Sequence, residues 1–328
     1  MPCAWQSEVR SSFNIPAKVF LLGEYVVLGG APGLVLAIPP RFKLSTSQSS
    51  RQGTPVKNAF HPESPAGSLL KQEELKKEEL KEPIFVSWDD PFSGQGGFGA
   101  STAQFGLLWA ALSEKSKVSH GVKSNDNYSD NLKVWQLYRD LPHSGAQPSG
   151  ADLAVQLEGG LLQFELSKWK RLPPIDLGSE AKLLIFSASA QVGRKVATHV
   201  HLDQLHENYP QLEQSYPKLE HLVLEGIDAL KRKDFVSFGR TLTFYASELA
   251  NLRLEAPSAY SDRMELLKLE GVLGVKGCGA LLADTLIVLL RPEAEERVIS
   301  HARDRGLRLI ANLSVLGLEP GLRQENIL

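Results

Sequence analysis

The stretch that most constrains this chain is a glycine-dense turn leading into an apolar helix, Phe92–Phe105, with the sequence FSGQGGFGASTAQF. Its four glycines, at 94, 96, 97 and 99, allow positive φ angles and a close approach of the backbone to a ligand. Ser101 and Thr102 fall in the first turn of the predicted helix, where main-chain N–H groups have no helical partner. The turn therefore predicts a polyphosphate site, with a serine hydroxyl available to Mg²⁺. A turn that only caps its helix is the alternative.

Known nucleotide motifs and the overall charge narrow the choice of ligand. The turn matches neither G-x-x-x-x-G-K-[ST] nor a strand followed by G-x-G-x-x-G, which argues against a P-loop protein and a dinucleotide fold. Lys and Arg total 36 against 38 Asp and Glu, so we expect no nucleic acid and no anionic membrane as partner. A small soluble molecule is the expected ligand.

Cysteine content and apolar runs indicate where such a chain works. The sequence contains two cysteines, Cys3 and Cys278, with neither a disulfide framework nor a zinc-ligand spacing. Its start lacks a basic segment followed by an apolar one, and the most apolar later run, Gly271–Leu290, is interrupted by Lys276 and Asp284. We therefore predict a cytoplasmic protein that is neither exported nor inserted into a membrane.

The 328 residues suit two domains, and Pro173-Pro174 offers the boundary, giving domains 1–172 and 173–328. In the first half, Phe13–Leu28 predicts two short strands around Gly23-Glu24, with Lys18 at the head of the first. On spacing alone Lys18 is a surface cation. Asp152 is predicted in the first turn of a short helix. Periodicity predicts further strands and helices at 35–38, 41–46, 69–82, 83–88, 132–140, 161–166, 182–187, 198–249, 285–290, 293–304 and 307–313.

Four stretches resemble, in order, the motifs of the GHMP kinases, the family of galactokinase, homoserine kinase, mevalonate kinase and phosphomevalonate kinase. The first three are Pro16–Leu28 (PAKVFLLGEYVVL), Gly97–Ala103 (GFGASTA) and Pro148–Asp152 (PSGAD), the last being typical of the mevalonate kinase branch. The fourth, Val275–Leu289, resembles A-K-x-S-G-A-G-G-G-D-C-G-I-A-L without a gap.

The resemblance implies an α+β fold of two domains, the N-terminal one like ribosomal protein S5 domain 2 and the C-terminal one ferredoxin-like. ATP and substrate would lie in the cleft between them. Asp152 would be the base that takes the proton from the substrate hydroxyl, and Lys18 would stabilise charge on the transferred phosphoryl group. Ser101 would reach Mg²⁺. The phosphates would be wrapped by Gly97, Gly99 and Thr102.

Other roles follow from the same resemblance. Lys195 and Thr198 resemble the K-V-x-x-[ST] segment that faces the substrate in mevalonate kinases, although Thr198 also suits a helix N-cap. Glu24 would brace the first motif beside the substrate by hydrogen bonding. The register of a second Mg²⁺ ligand falls on Leu141, so the nearest carboxylate, Asp140, is the predicted ligand.

The chain also departs from the family pattern. Leu281–Ala283 replaces a glycine triplet, which motivates a non-catalytic nucleotide-binding homologue as an alternative. Gln95-Gly96 stands where phosphomevalonate kinases often carry lysines, and a substrate phosphate needs about two converging cations. We therefore expect mevalonate as the substrate, with mevalonate 5-phosphate as the alternative. A homodimer is left open.

Overall fold

A computed structural model describes residues 9–48, 53–76, 84–92, 95–120, 127–142, 147–188, 212–278 and 285–325. These residues form a seven-stranded sheet, a four-stranded sheet and a two-stranded sheet. The strands are β1 Val9–Leu22, β2 Gly33–Ser47, β3 Thr54–Pro55, β4 Phe85–Asp89, β5 Leu161–Glu165, β6 Lys168–Leu172, β7 Ile175–Asp176, β8 Lys182–Ala188, β9 Val272–Cys278, β10 Thr285–Leu290, β11 Leu307–Leu313, β12 Val315–Leu316 and β13 Arg323–Glu325.

Helices cover the two larger sheets. They are α1 Pro65–Lys76, α2 Ala100–His120, α3 Asn127–Asp140, α4 Ala151–Glu158, α5 Leu212–Lys231, α6 Phe235–Asn251, α7 Pro257–Leu266 and α8 Glu295–Asp304, with short 3-10 helices at Val26–Gly29, Val56–Asn58 and Pro292–Ala294. None of the described helices has a stretch long and apolar enough to span a bilayer.

The first sheet has the order β13-β1-β2-β4-β3, with β5 also on β2 and β6 on β5. Strand β2 is long enough to pair with β5 through residues 33–36 and with β4 through residues 43–47. Pro39-Pro40 lies between the two halves, and the β1–β2 register shifts there because proline has no N–H to donate. Helices α2 and α4 pack on β1 and β2. Consequently β1, α2 and α4 meet over one face of this sheet.

A C-terminal strap, Glu319–Glu325, returns to this first sheet and ends as β13 on β1. Arg41 donates from Nη1 to Oε1 of Glu319 at 2.5 Å. The N–H of Leu322 donates to the carbonyl of Leu157, at the end of α4, over 3.2 Å. The strap therefore fastens both the sheet and the C-terminal end of α4.

The second sheet is antiparallel throughout, in the order β11-β8-β10-β9. Helix α6 packs against β9, and α5 packs on α6. On the other side, α7 and α8 enclose an apolar core that includes Phe186, Val288 and Val298. One end of this sheet meets the first sheet and the glycine turn.

Most predicted elements of the second half are confirmed, including strands 285–290 and 307–313. The second strand expected within Phe13–Leu28 is wrong, because Val26–Gly29 forms a 3-10 helix after Tyr25, whose φ is 73°. The strands expected at 35–38 and 41–46 form one continuous strand, β2. The beginning of the helix expected over 198–249 lies outside the described residues, but its break at 232–234 is confirmed.

Candidate active site

Lys18 and Asp152 form an ion pair where β1 passes under the start of α4. Lys18 Nζ lies 2.9 Å from Oδ2 of Asp152, and the two side chains are 5% and 31% exposed. The N–H of Lys18 donates to the carbonyl of Phe98 over 3.2 Å, which holds the glycine turn beside the pair. The first and third motifs are thus joined through their charged residues, and the second adjoins them.

The position of Asp152 depends on the conformation of Gly150. This residue has φ 74°, and a Cβ on it would lie 2.3 Å from Nε1 of Trp135. That indole nitrogen donates to the carbonyl of Ser149 over 3.2 Å, so the approach is part of the local structure. Asp152 then falls in the first turn of α4, where the helix dipole stabilises a carboxylate.

The glycine turn approaches the pair from the N-terminal end of α2. Gly97 and Gly99 have φ angles of 96° and 83°, which favour glycine. Phe98, between them, is buried and stacks on Phe92 at 4.2 Å between ring centroids. Ser101 is exposed in the first turn of α2. The predicted phosphate cradle therefore has an anchored middle and an accessible hydroxyl.

A residue that sequence reasoning missed, Gln156, ties the three motifs together. Its side chain is fully buried, and Nε2 donates to the carbonyls of Pro16 at 3.0 Å and Gly99 at 3.1 Å. Its Oε1 accepts from the hydroxyl of Thr102 at 2.6 Å. Gln156 lies one helical turn after Asp152, so both side chains lie on the same side of α4. An amide among the apolar residues of this helix was the sequence signal that could have identified it. Its contacts fix the turn relative to α4.

Thr102 is placed at the turn as predicted, but its side chain faces inward. The residue is 6% exposed, and its hydroxyl lies within hydrogen-bonding distance of the carbonyl of Gly99 and of Gln156. A phosphate at this position would therefore meet the main chain of Thr102 rather than its hydroxyl. Its role as a phosphate contact stays a prediction.

Glu24 belongs to a second, buried ion pair. Its carboxylate is hydrogen-bonded to Nζ of Lys276 on β9, and both side chains are almost fully enclosed. Oε2 of Glu24 has no hydrogen-bond partner among the described residues. Burial raises the pKa of Glu24, with Lys276 opposing the shift. The hydroxyl of Tyr245 donates to the main-chain carbonyl of Glu24 at 2.7 Å. Glu24 therefore connects β9 and α6 to the first motif.

Asp140 is the exposed last residue of α3. The structure shows no contact between its side chain and Lys18, Ser101 or Asp152, all of which are described. Two residues earlier on α3, Tyr138 is buried, and burial and then the charge of Asp152 raise its pKa. Tyr138 and Asp140 lie on different faces of the helix. The role of Asp140 as a metal ligand stays a prediction.

Lys195 and Thr198 lie outside the described residues, as does Leu281–Ala283. The described residues contain no group of three or more His, Cys, Asp or Glu side chains placed to hold a metal ion. Mg²⁺ commonly binds through one or two protein oxygens together with substrate phosphates and water, and such a site needs no cluster. The hydroxyl oxygen of Ser101 is suited to be one of these protein ligands of Mg²⁺.

The second sheet presents a polar row toward these motifs. Cross-strand partners place four residues side by side at the end of the sheet, in the order Arg308, Ser187, Thr285 and Cys278. The last three are 3%, 0% and 2% exposed, whereas Arg308 is exposed. The row therefore runs from the interior to the solvent.

Each member of this polar row contacts the first or second motif region. Ser187 donates to Oε1 of Gln95 at 2.9 Å, and Nη2 of Arg308 donates to the same oxygen at 3.2 Å. Oγ1 of Thr285 lies 3.5 Å from the carbonyl of Gly96. The remaining member, Cys278, donates from Sγ to the carbonyl of Phe20 at 3.2 Å. The glycine turn is thus held on one side by Gln156 and on the other by the second sheet.

Comparison with known proteins identifies the fold. No protein-family model matches the sequence, and a search of the curated proteins gives no significant match. Solved structures do match. Phosphomevalonate kinase of Streptococcus pneumoniae, in complex with phosphomevalonate and AMPPNP, has a TM-score of 0.70 at 14% identity, covering 92% of this chain and 99% of that one.

Two further structures extend the comparison. Mevalonate kinase of L. major, in complex with R-mevalonate, has a TM-score of 0.66 at 18% identity, covering 94% of this chain and 97% of that one. Galactokinase of Lactococcus lactis, complexed with galactose, has a TM-score of 0.70 at 11% identity, covering 97% and 95%. The chain has the two-domain α+β fold of GHMP kinases, and the predicted fold is confirmed.

Proposed function

We propose that this chain is an ATP-dependent kinase that phosphorylates a hydroxyl group of mevalonate. The observation that carries the proposal is the Lys18–Asp152 pair, 2.9 Å from nitrogen to oxygen, beside the glycine turn at the start of α2. A base, a cation and an anion cradle in one place are the parts that phosphoryl transfer requires. The solved mevalonate kinase and phosphomevalonate kinase of the same fold support this substrate class.

In the proposed reaction Asp152 accepts the proton of the attacking hydroxyl. Its carboxylate is about one-third exposed, so a substrate can reach it, whereas Lys18 is enclosed and held in place. The ammonium group of Lys18 stabilises negative charge that develops on the transferred phosphoryl group. The backbone of Gly97 and Gly99 and the N-terminal end of α2 bind the nucleotide phosphates.

Mg²⁺ supplies charge neutralisation on the β- and γ-phosphates when it is bound. The hydroxyl of Ser101 is the protein oxygen that we propose to hold it, and Asp140 remains the predicted second ligand. Lys195, Thr198 and Glu24 remain predicted substrate-side residues, with Glu24 acting through its contacts to Lys276 rather than by touching the substrate. The division into domains 1–172 and 173–328 likewise stays a proposal.

Mevalonate is favoured over mevalonate 5-phosphate because Gln95-Gly96 carries no lysine of its own. A single cation, Arg308, contacts Gln95, whereas a substrate phosphate needs about two. A coupled ATPase assay with mevalonate, mevalonate 5-phosphate and galactose tests both the activity and the substrate. We expect turnover of mevalonate by the wild type, its loss in Asp152→Asn, and full activity in the matched control Asp228→Asn, whose carboxylate is exposed on α5. Nucleotide binding without turnover of any acceptor would contradict the kinase and support the non-catalytic alternative.

A further inference from the structure

The polar row of the second sheet ends in a cation beside the glycine turn. Three of its four members are buried and satisfied by contacts with Gln95, Gly96 or Phe20. Arg308 is exposed, and its guanidinium donates to the neutral amide oxygen of Gln95. Within the described part of the chain, Arg308 forms no ion pair. Among the residues that the structure describes, no carboxylate neutralises this positive charge at the turn.

The position of Arg308 and the hydrogen-bonding chemistry of its guanidinium indicate which kind of group neutralises its charge. The ends of β8 and β9 and the starts of β10 and β11 form the edge of the sheet that faces the first two motifs. Lys18 adjoins the inner side of the turn through Phe98, and Arg308 adjoins its outer side through Gln95. A guanidinium has five donors in a planar fork that matches phosphate oxygens. Its bond to Gln95 uses one of them.

We propose that Arg308 binds phosphate oxygens of the ligand held at the glycine turn, and this inference rests on the proposed function. The phosphate belongs either to the nucleotide or to a phosphorylated acceptor. Gln95 holds the guanidinium toward the turn in the absence of the anion. Sequence reasoning found no cation pair near this turn, because β11 supplies Arg308 from 213 residues further along the chain.

Calorimetric titration with ADP, AMPPNP, mevalonate 5-phosphate, mevalonate and adenosine tests the proposal. Arg308→Gln is expected to weaken the affinity for ADP and AMPPNP, or for mevalonate 5-phosphate, by roughly tenfold or more. Affinities for adenosine and mevalonate, which carry no phosphate, stay unchanged. Arg308→Lys keeps the charge but loses the fork, so it should recover part of the affinity. Arg240→Gln, at an exposed arginine on α6, is the matched control and leaves all five affinities unchanged.

A second variant separates phosphate binding from a purely structural contact. Gln95→Ala removes the acceptor and loosens the turn but leaves the guanidinium, so it should lower the affinity for phosphate-bearing ligands less than Arg308→Gln does. If Gln95→Ala reproduces the full loss seen in Arg308→Gln, the contact is structural and the proposal is overturned. Equal affinities of wild type and Arg308→Gln for every phosphorylated ligand overturn it as well.

The outcomes also separate this inference from the proposed function. Arg308-dependent binding of phosphates without turnover would leave the inference standing and remove the kinase. Turnover of an acceptor, with phosphate affinities that do not depend on Arg308, would support the kinase and overturn the inference. Loss confined to the nucleotides assigns the phosphate to ATP, and loss confined to mevalonate 5-phosphate assigns it to the acceptor.

Discussion

Two lysine–carboxylate ion pairs each include one residue of the first motif, and the two pairs differ in how exposed they are to solvent. The Lys18–Asp152 pair has one enclosed and one accessible partner. The Glu24–Lys276 pair is enclosed on both sides, and one of its carboxylate oxygens is unpaired among the described residues. An accessible carboxylate can meet a substrate, whereas a buried pair can only join two parts of the fold. Proximity within a motif therefore does not make Lys18 and Glu24 equivalent.

Removing the cation of the buried pair is expected to have the largest effect. Lys276→Met leaves Glu24 without its cation in an enclosed site, so the free energy of unfolding should fall by about 3–5 kcal/mol. Urea denaturation measures this loss, and Glu24→Gln combined with Lys276→Met should recover much of it. Lys268→Met, on an exposed lysine, is the matched control. A loss no greater than in that control would show that the two pairs do not differ as the structure indicates.

The accessible pair should show the opposite behaviour, with activity lost and most of the stability retained. Asp152→Asn is expected to lower kcat by ~10²-fold or more while nucleotide affinity stays nearly intact. The free energy of unfolding should fall by roughly 1–2 kcal/mol, less than in Lys276→Met, because the carboxylate is partly solvated and Asn keeps an acceptor for the enclosed Lys18. Steady-state kinetics and urea denaturation on the same preparation measure both quantities. An unchanged kcat would refute the role of Asp152 as base.

Gln156 gives a case between these two, a buried neutral group that positions the site. Gln156→Met removes the amide but keeps the length of the side chain, leaving Thr102 and two carbonyls with fewer partners. We expect a stability loss of about 1–3 kcal/mol and weaker binding of AMPPNP. Thr102→Val removes the hydroxyl that lies beside Gly99 and Gln156 but leaves the two amide hydrogen bonds of Gln156 in place, so it should have a smaller effect on both. Unchanged AMPPNP affinity in Gln156→Met would show that the amide does not position the turn.

The exposed ion pair Lys43–Glu325 should contribute less to the free energy of unfolding than either of the two pairs above. The hydrogen bond from Lys43 is the main cause that lowers the pKa of Glu325 below its ordinary value of 4.5. A lowered folded-state pKa stabilises the protein above pH 4.5, and this contribution disappears as pH falls through the lowered pKa. Glu325→Gln should cost about 0.2–1 kcal/mol at pH 7. Urea denaturation should show this difference shrinking below pH 4.5. A difference that does not depend on pH would exclude the ion pair as its source.

The residues proposed to carry the chemistry were predictable because short motifs contain them. Lys18, Ser101 and Asp152 were assigned their roles from the resemblance of those motifs to GHMP kinases, and the structure brings Lys18 and Asp152 into contact. The positioning role of Gln156 was not predicted, because its hydrogen-bond partners lie up to 140 residues away in sequence. Only the folded chain brings the three motifs to this side chain. Arg308 was missed for the same reason, since its neighbour is 213 residues distant.

Local propensity also failed where tertiary contacts decided the backbone. The residues at 26–28 are apolar and include two valines, which favours a strand, yet they form a 3-10 helix that buries both Val26 and Val27. The segment 47–68 is rich in Ser, Pro and Gly, a composition that is typical of loops. Instead Val56 and Phe60 are buried in the core, and α1 begins at Pro65. Two apolar side chains in a polar segment were the signal.

The strap Glu319–Glu325 has a consequence for how the protein is made. Arg41 lies in an early strand, but its partners Glu319 and Gly321 are translated 278 and 280 residues later. At a synthesis rate of about 5–20 residues per second, the early sheet waits on the order of tens of seconds for its edge strand. Until β13 has been made, the edge of β1 that it covers is open to pairing with any other extended chain.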